Sequence, residues 1–364
     1  MKIMHVVGAR PNFPKTAPLM AEMSRHPAAF EQILVHTGQH YDDRMSRIFF
    51  EDLEIPEPDE YLEVGSGTHA EQTGRVMMAF EPVVVKHKPD WVFVVGDVNS
   101  TLACALVCAK LGVPVAHVEA GLRSGDRSMP EEINRLLTDQ IASLLFTPSP
   151  DGDANLLREG VAPEKIHFAG NIMIDTLVKM LPKIRERSTL PSLGLQPKQY
   201  VLVTLHRPSN VDQMEVLAEI LRALQELSRQ HPVIFPVHPR TLQNINRLGF
   251  RPDANLRLLE PSGYLDFLAL MSAARFVLTD SGGIQEETTY LGVPCLTARS
   301  TTERPITITE GTNRLVASTR AAILEAVEQM RVSPVGSHHI PEKWDGCTAS
   351  RIVDVMLTST RERT

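Results

Sequence analysis

The chain has little cysteine, and it lacks the motifs by which proteins most often hold a metal, a nicotinamide or a nucleoside triphosphate. Its four cysteines are scattered over 364 residues. None has the spacing of a zinc site, so no metal is expected. Cys104 and Cys108 share one face of an apolar helical stretch, where core packing accounts for them. No apolar run approaches the roughly 20 residues needed to cross a bilayer, which excludes a helical membrane protein. The chain enters directly on Ile3-Met4-His5-Val6-Val7 with no signal-peptide layout, so the cytoplasm is the expected compartment. No Gly-x-Gly-x-x-Gly follows a strand, so a nicotinamide cofactor is not indicated. Phosphate-loop, His-Glu-x-x-His and nucleophile-elbow motifs are absent as well. Positive charge is not in excess: the formal net charge of −7 argues against a nucleic-acid partner.

What is present is a soluble, globular composition, 43% hydrophobic and 22% charged, with length enough for two cores. Short apolar runs alternate with helical patterns throughout. In the first half the expected strands are Ile3–Val7, Gln32–Val35, Trp91–Val95 and Val113–His117. A helix starts near Thr16 with Pro18 in its first turn, and a polar stretch around 65–74 leads into a helix through Val85. A second series has strands at Tyr200–Leu205, Val233–Val237, Leu256–Leu259, Phe276–Thr279 and Pro294–Thr297, after a loop over Arg185–Lys198. This alternation predicts an α/β protein with parallel, doubly wound sheets in two Rossmann-like lobes. The expected boundaries are 1–170, 171–345 and a last helix within 346–364, with the ligand taken in a cleft between the lobes.

The most informative stretch is Thr279-Asp280-Ser281-Gly282-Gly283-Ile284-Gln285-Glu286-Glu287. It follows a strand and opens a helix whose first amide groups lack intrahelical partners. Gly282 and Gly283 remove the side chains that would keep an anion away, so with Ser281 the turn is suited to phosphate. Helical spacing puts Glu287 on the inward side, where sugar hydroxyls could meet it, and Glu286 on the opposite side toward water. The alternative is a glycine-rich turn before a helix with a charged face.

In open α/β sheets ligands bind beyond the carboxyl ends of the strands, and polar residues collect at those ends here. Arg10, Lys15, Arg207, His238 and Arg304 are suited to a diphosphate. Asp97, Glu119 and Glu131 are candidate acids and bases. Glu131 also fits a capping box opened by Ser128, with an i,i+4 ion pair to Arg135. Phe267 can stack on a base or fill a core. Any one of these has a bland reading as a solvated loop charge or a satisfied histidine. Both lobes collecting them at the same strand ends is harder to attribute to chance.

With these residues assembled, the chain closely resembles the non-hydrolysing UDP-N-acetylglucosamine 2-epimerases. The landmarks run nearly end to end: Gly8-Ala9-Arg10-Pro11 with Lys15, Gln39-His40, Gly96-Asp97, His117 through Arg123, Pro130 through Arg135, His206-Arg207, Pro236 through Pro239, the turn at 279–287, Thr302 through Pro305, Gly311-Thr312 and Asp345-Gly346. The resemblance implies a GT-B-like pair of lobes around UDP, with the C-terminal helix crossing back to the first lobe. It implies reversible inversion at sugar carbon 2, UDP-GlcNAc to UDP-ManNAc, through loss of UDP to 2-acetamidoglucal and re-addition, without cofactor or metal. By position, it assigns Asp97, Glu119, Glu131 and His206 to the chemistry. Arg10, Lys15, His238, Ser281, Gly282, Gly283 and Arg304 would hold the diphosphate, Phe267 the uracil region and Glu287 the ribose. Gln39 and His40 match part of an activator site found in some members. Here Asn12-Phe13-Pro14 and Pro208-Ser209-Asn210 depart from common family versions, as does Tyr41-Asp42-Asp43.

Three other readings compete. A sister enzyme would epimerise another UDP-HexNAc, such as UDP-2,3-diacetamido-glucuronate, and would want a cation near sugar carbon 6. A GT-B glycosyltransferase would need an acceptor before releasing UDP, and a sugar-nucleotide sensor would bind without turnover. Three acids grouped in the first lobe favour epimerisation. Apolar helices such as Val76–Val85, read as exposed, lead to the expectation of a homodimer.

Overall fold

A computed structural model describes residues 1–39, 50–332 and 339–361. His40 of the sequence reading lies outside them. Two compact units emerge, Met1–Lys179 with Glu342–Thr364, and Met180–Pro341.

The first unit is built on seven parallel strands: β1 Lys2–Val7, β2 Glu31–His36, β3 Glu60–Tyr61, β4 Trp91–Val95, β5 Val115–Val118, β6 Leu144–Thr147 and β7 Ile166–Phe168. Their order is β3-β2-β1-β4-β5-β6-β7, so the winding reverses between β1 and β4. Strand periodicity explains why both faces are covered. Met4, Val6, Val92 and Val94 point into one cluster, which includes Val76, Phe80 and Val84 of the helix His69–His87. Ile3, Trp91, Phe93 and Val95 point into another, with Leu19 and Met23. Each such buried side chain contributes about 1.5–3 kcal/mol relative to exposure.

The C-terminal helix, Thr348–Arg361, packs Ala349, Ile352, Val353 and Met356 into that second cluster. Its start is held by Asp175, whose carboxylate accepts from the Thr348 and Ala349 amides at 3.0 and 2.7 Å. Trp344, fully buried just before it, donates to the Pro148 carbonyl at 2.9 Å.

The second unit carries six parallel strands: β8 Val201–Thr204, β9 Val233–Pro236, β10 Leu256–Leu259, β11 Phe276–Thr279, β12 Cys295–Ala298 and β13 Asn313–Val316. The order β10-β9-β8-β11-β12-β13 repeats the first unit's pattern, with its reversal between β8 and β11. Both sheets are therefore doubly wound and parallel, the Rossmann-like pair of a GT-B-like protein.

Several sequence expectations shift. β3, β6, β7 and β13 were not anticipated; their runs are short or mixed, as in Leu144–Thr147. The fifth strand begins at Val115 and extends through Val118. The first helix is Phe13–Met23, with Pro14 in its first turn, so Pro18 lies inside it. Arg185–Lys198 is not wholly loop, since Thr189–Ser192 is helical. The helix expected to expose Val76–Val85 instead buries Val76, Phe80, Val83 and Val84; Met78 and Val85 face solvent. The four cysteines are free, and no group able to hold a metal occurs among the described residues. No described helix is long and apolar enough to cross a membrane.

Candidate active site

In the first unit the reversal point lies between β1 and β4, and the residues following β1, β4 and β5 converge there. Gly8 to Asn12 turns tightly after β1. The Asn12 carboxamide closes the turn by accepting from the Gly8 and Ala9 amides (3.0 and 2.9 Å) and donating to the Val95 carbonyl at the end of β4 (3.0 Å). Arg10 follows on the same turn, partly exposed. Lys15, one helical turn on, is buried, and its ammonium is ion-paired with the buried Glu119 carboxylate. Within this unit Lys15 holds an acid in place.

Glu119 sits immediately after β5 at φ 71°, the left-handed region that a side chain rarely adopts. Holding a non-glycine residue there costs on the order of 1–3 kcal/mol, which the surrounding structure must offset. Gly96, after β4 at φ 68°, lies against that pair: a Cβ built on it would stand 3.1 Å from Lys15 Nζ and 3.4 Å from Glu119 Oε2. Asp97 is the next residue. Its carboxylate is ion-paired with Arg135, and its carbonyl accepts from Asn134 Nδ2 at 2.9 Å. Arg135 is fully buried and is oriented by Glu132, which accepts from it at 2.7 and 3.1 Å and from the Ser124 and Gly125 amides. Burial opposes ionisation of Glu132, but the Ser124 amide and Arg135 outweigh it and hold the carboxyl below its ordinary value.

Glu131 is corrected in one respect. The helix Pro130–Ile141 has Met129 at its cap position with no side-chain cap, and Arg135 pairs with Asp97 and Glu132. Pro130 at the first position removes one orphan donor, and the Glu132 amide donates to the Met129 carbonyl at 3.1 Å. Glu131 remains half-buried in the first helical turn. Gln39 has a structural engagement: its Oε1 accepts from the Ser100 amide and hydroxyl at 3.0 and 2.7 Å, at the start of the helix Asn99–Leu111.

In the second unit β8 and β11 flank the reversal, and the buried Asp280 after β11 organises the turn after β8. Its carboxylate accepts from the His206 amide (3.1 Å), the Arg207 amide (2.9 Å) and Asn210 Nδ2 (3.0 Å), and lies 3.0 Å from His206 Nδ1. Burial opposes this charge, yet His206, Asn210 and the Arg207 amide hold the carboxyl below its usual range. His206 stays half-exposed and Arg207 is anchored through Nε on the Asp280 carbonyl at 2.9 Å. His238 caps the helix Pro239–Arg247 by accepting from the Arg240 amide on Nδ1 (3.3 Å), which leaves the neutral ring's proton on Nε2.

Ser281 caps the helix Gly282–Leu291 without a side-chain hydrogen bond. Gly282 must lack a Cβ, which would meet the Arg304 guanidinium and lie 2.7 Å from Glu303 Oε1. Arg304 is paired with Glu303 and, at 2.9 Å, with Glu286; Glu303 also accepts from Arg299 at 2.7 Å. The solvent-facing place expected for Glu286 is therefore wrong. Nearly the whole helix from Ile284 to Thr289 is buried, and Arg304 supplies the partner that makes a buried Glu286 tolerable. Glu287 is buried as expected, and Tyr264 donates to it. Phe267 is half-buried on the helix Tyr264–Ala273 that carries Tyr264.

Asp280, Glu303, Glu132 and Tyr264 were not singled out as site residues from sequence. Asp280 lay within the informative stretch, and its position directly before the Ser-Gly-Gly turn was a usable signal. Glu132 and Glu303 also have local partners, Arg135 three residues on and Arg299 four residues back, a spacing that was a usable signal; Tyr264 meets Glu287 only through the fold.

Residues 21–357 match the family described as UDP-N-acetylglucosamine 2-epimerase. The UDP-N-acetylglucosamine 2-epimerase of Methanocaldococcus jannaschii is 43% identical over 341 residues, covering 91% of this chain and 92% of the relative. The UDP-2,3-diacetamido-2,3-dideoxy-D-glucuronate 2-epimerase of Pseudomonas aeruginosa is 44% identical over 330 residues, covering 90% and 91%. The crystal structure of the M. jannaschii enzyme in complex with UDP-GlcNAc and UDP superimposes with a TM-score of 0.91 at 40% identity, covering 98% of this chain and all of that one.

Proposed function

The chain belongs to the UDP-N-acetylglucosamine 2-epimerase family, and we propose that it interconverts UDP-GlcNAc and UDP-ManNAc by removing UDP and adding it back. The hydrogen on sugar carbon 2 has no neighbouring carbonyl and is not acidic. Breaking the bond between carbon 1 and the phosphate oxygen leaves positive charge on carbon 1, and that acidifies carbon 2. A proton then leaves carbon 2, the carbon 1–carbon 2 double bond of 2-acetamidoglucal forms, and UDP departs with the electron pair. Reprotonation of carbon 2 from the other face and return of UDP to carbon 1 complete the inversion.

In this reading Asp97, Glu119 and Glu131 move the protons, and His206 attends the leaving phosphate. The Ser281-Gly282-Gly283 turn, Arg10, Arg207, His238 and Arg304 hold the diphosphate, Phe267 the uracil side and Glu287 the ribose. Lys15 shares its charge between Glu119 and the diphosphate. Groups that neutralise UDP as its charge develops stabilise the transition state more than the substrate, so the cradle is catalytic as well as adhesive. One observation carries the reading: a chain that matches this family end to end also supports two carboxylates, Asp97 and Glu119, each tied to a cation and set around Gly96. A cytoplasmic homodimer completes the proposal.

The test is proton NMR of UDP-GlcNAc in D₂O with the purified protein and nothing else. UDP-ManNAc bearing deuterium at carbon 2, abolished by Asp97→Asn, is the expected result. The similarity to the P. aeruginosa relative sustains a second reading. Inversion of the diacetamido-uronate nucleotide with none of UDP-GlcNAc would establish it instead.

A further inference from the structure

We propose that His117 is a positioning residue for the two carboxylates of the first unit: its imidazole holds the Gly96 carbonyl beside Asp97 and, through Asp139, the Gly121 amide just past Glu119. The inference rests on the acid–base roles proposed for Asp97 and Glu119.

His117 is completely buried on β5, two residues before Glu119. Its Nε2 lies 2.8 Å from the Gly96 carbonyl and its Nδ1 2.6 Å from Asp139 Oδ1. A carbonyl oxygen can only accept, so Nε2 carries a proton there. Asp139 is also fully buried; its Oδ2 accepts from the Gly121 amide at 3.1 Å and from Arg123 at 2.7 Å. Burial opposes ionisation of Asp139, but His117 and Arg123 overcome it and hold the carboxyl below its ordinary value, so Nδ1 faces a carboxylate. Arg123 is held in turn by Glu159, at 2.6 and 2.8 Å.

One chain of hydrogen bonds thus ties together the two turns that carry the acids. Both turns have left-handed backbone, at Gly96 (φ 68°), Glu119 (φ 71°) and Gly121 (φ 79°), and left-handed backbone at a residue with a side chain persists only where neighbours impose it. Gly121 is packed closely against Gly152, whose carbonyl a Cβ there would strike. Without the imidazole, the Gly96 carbonyl loses a buried donor and the peptide leading into Asp97 is freed. The histidine is fully buried and acts through the backbone.

Two substitutions separate the bonds. His117→Gln can place its amide N–H where Nε2 stood and keep the Gly96 contact. His117→Asn reaches only the Asp139 side. Carbon 2 exchange and epimerisation of UDP-GlcNAc are measured for both against the wild type. We expect His117→Asn to lose about 100-fold in kcat, the scale of a small misplacement of catalytic groups, with KM changed less than threefold. His117→Gln should recover at least tenfold of that loss. Equal impairment of both, loss confined to KM, or an unchanged His117→Asn rate would overturn the proposal. If His117→Asn yields no folded protein, Asp139→Asn, which keeps the imidazole on the Gly96 carbonyl but replaces the carboxylate between Nδ1 and the Gly121 amide with an uncharged carboxamide, is held to the same kcat and KM expectations. An inactive wild type would instead overturn the proposed function, so the two failures are distinct.

Discussion

The Tyr264 hydroxyl donates a 2.9 Å hydrogen bond to Glu287 Oε1 in the second unit, where Glu287 is buried and Tyr264 half-buried. Burial pushes the Glu287 carboxyl up to about 8, against the hydrogen bond from Tyr264, which favours the charged form; the nearby Glu286 adds to the rise. At neutral pH the raised value favours the protonated carboxyl, which can both donate and accept.

That raised value makes stability depend on pH with a definite sign. The folded protein binds this proton more tightly than the unfolded chain does. Its contribution is complete below the ordinary carboxylate value, 4.5, and is lost as pH rises toward about 8. The loss is at most about 1.4 kcal/mol per pH unit. Glu287→Gln removes the titration while keeping an acceptor for Tyr264. Thermal melts of the ligand-free protein should show wild type falling relative to Glu287→Gln between pH 5.5 and 8.5. A gap that stays constant with pH would contradict the assignment.

Gly282→Ala addresses the cradle directly. The new Cβ would occupy the space of the Arg304 guanidinium and press on Glu303 Oε1, 2.7 Å away. Arg304 and Glu303 must then shift, and the positive charge at the turn shifts with them. UDP affinity by calorimetry should fall at least tenfold, about 1.4 kcal/mol. Gly112→Ala is the control for a glycine change: nothing lies within 4 Å of a Cβ there, though φ is 72°, and UDP affinity should be unchanged.

How much of this was legible in the sequence follows from the range of the interactions. The central strands β1, β4, β8 and β11 are apolar runs bounded by turns, and the Ser281-Gly282-Gly283 turn declares itself because two adjacent glycines before a helix have a local reason to be there. β13, Asn313–Val316, pairs its Asn313 and Arg314 at a sheet edge and has no apolar signature of its own. Glu286 was misjudged because helical spacing shows only which residues share a face; it cannot show that Arg304, 18 residues on, packs against the opposite face. The pairing of Lys15 with Glu119 spans 104 residues and depends on β1, β4 and β5 being neighbours. Local chemistry was readable; pairings created by the sheet order were not.

Asp280 joins the turns after β11 and β8, and its loss should be felt in both stability and rate. Its carboxylate accepts from two backbone amides and Asn210 while facing His206 Nδ1. Asp280→Asn would set an amide N–H₂ among these donors, and hydrogen bonds to a charged group are worth about 1.5–3 kcal/mol each. A drop in melting temperature of several degrees at pH 7 is expected, with kcat falling more than tenfold as His206 and Arg207 lose their anchor. The carboxyl is held below its ordinary value, 3.8. Its stabilisation is therefore complete above that value and is lost as pH falls through the lower folded one. The gap between wild type and Asp280→Asn should be full at pH 7, begin to close below pH 4, and be smaller at pH 3. A gap that widens on acidification would mean that the carboxylate is not the group holding the two turns together.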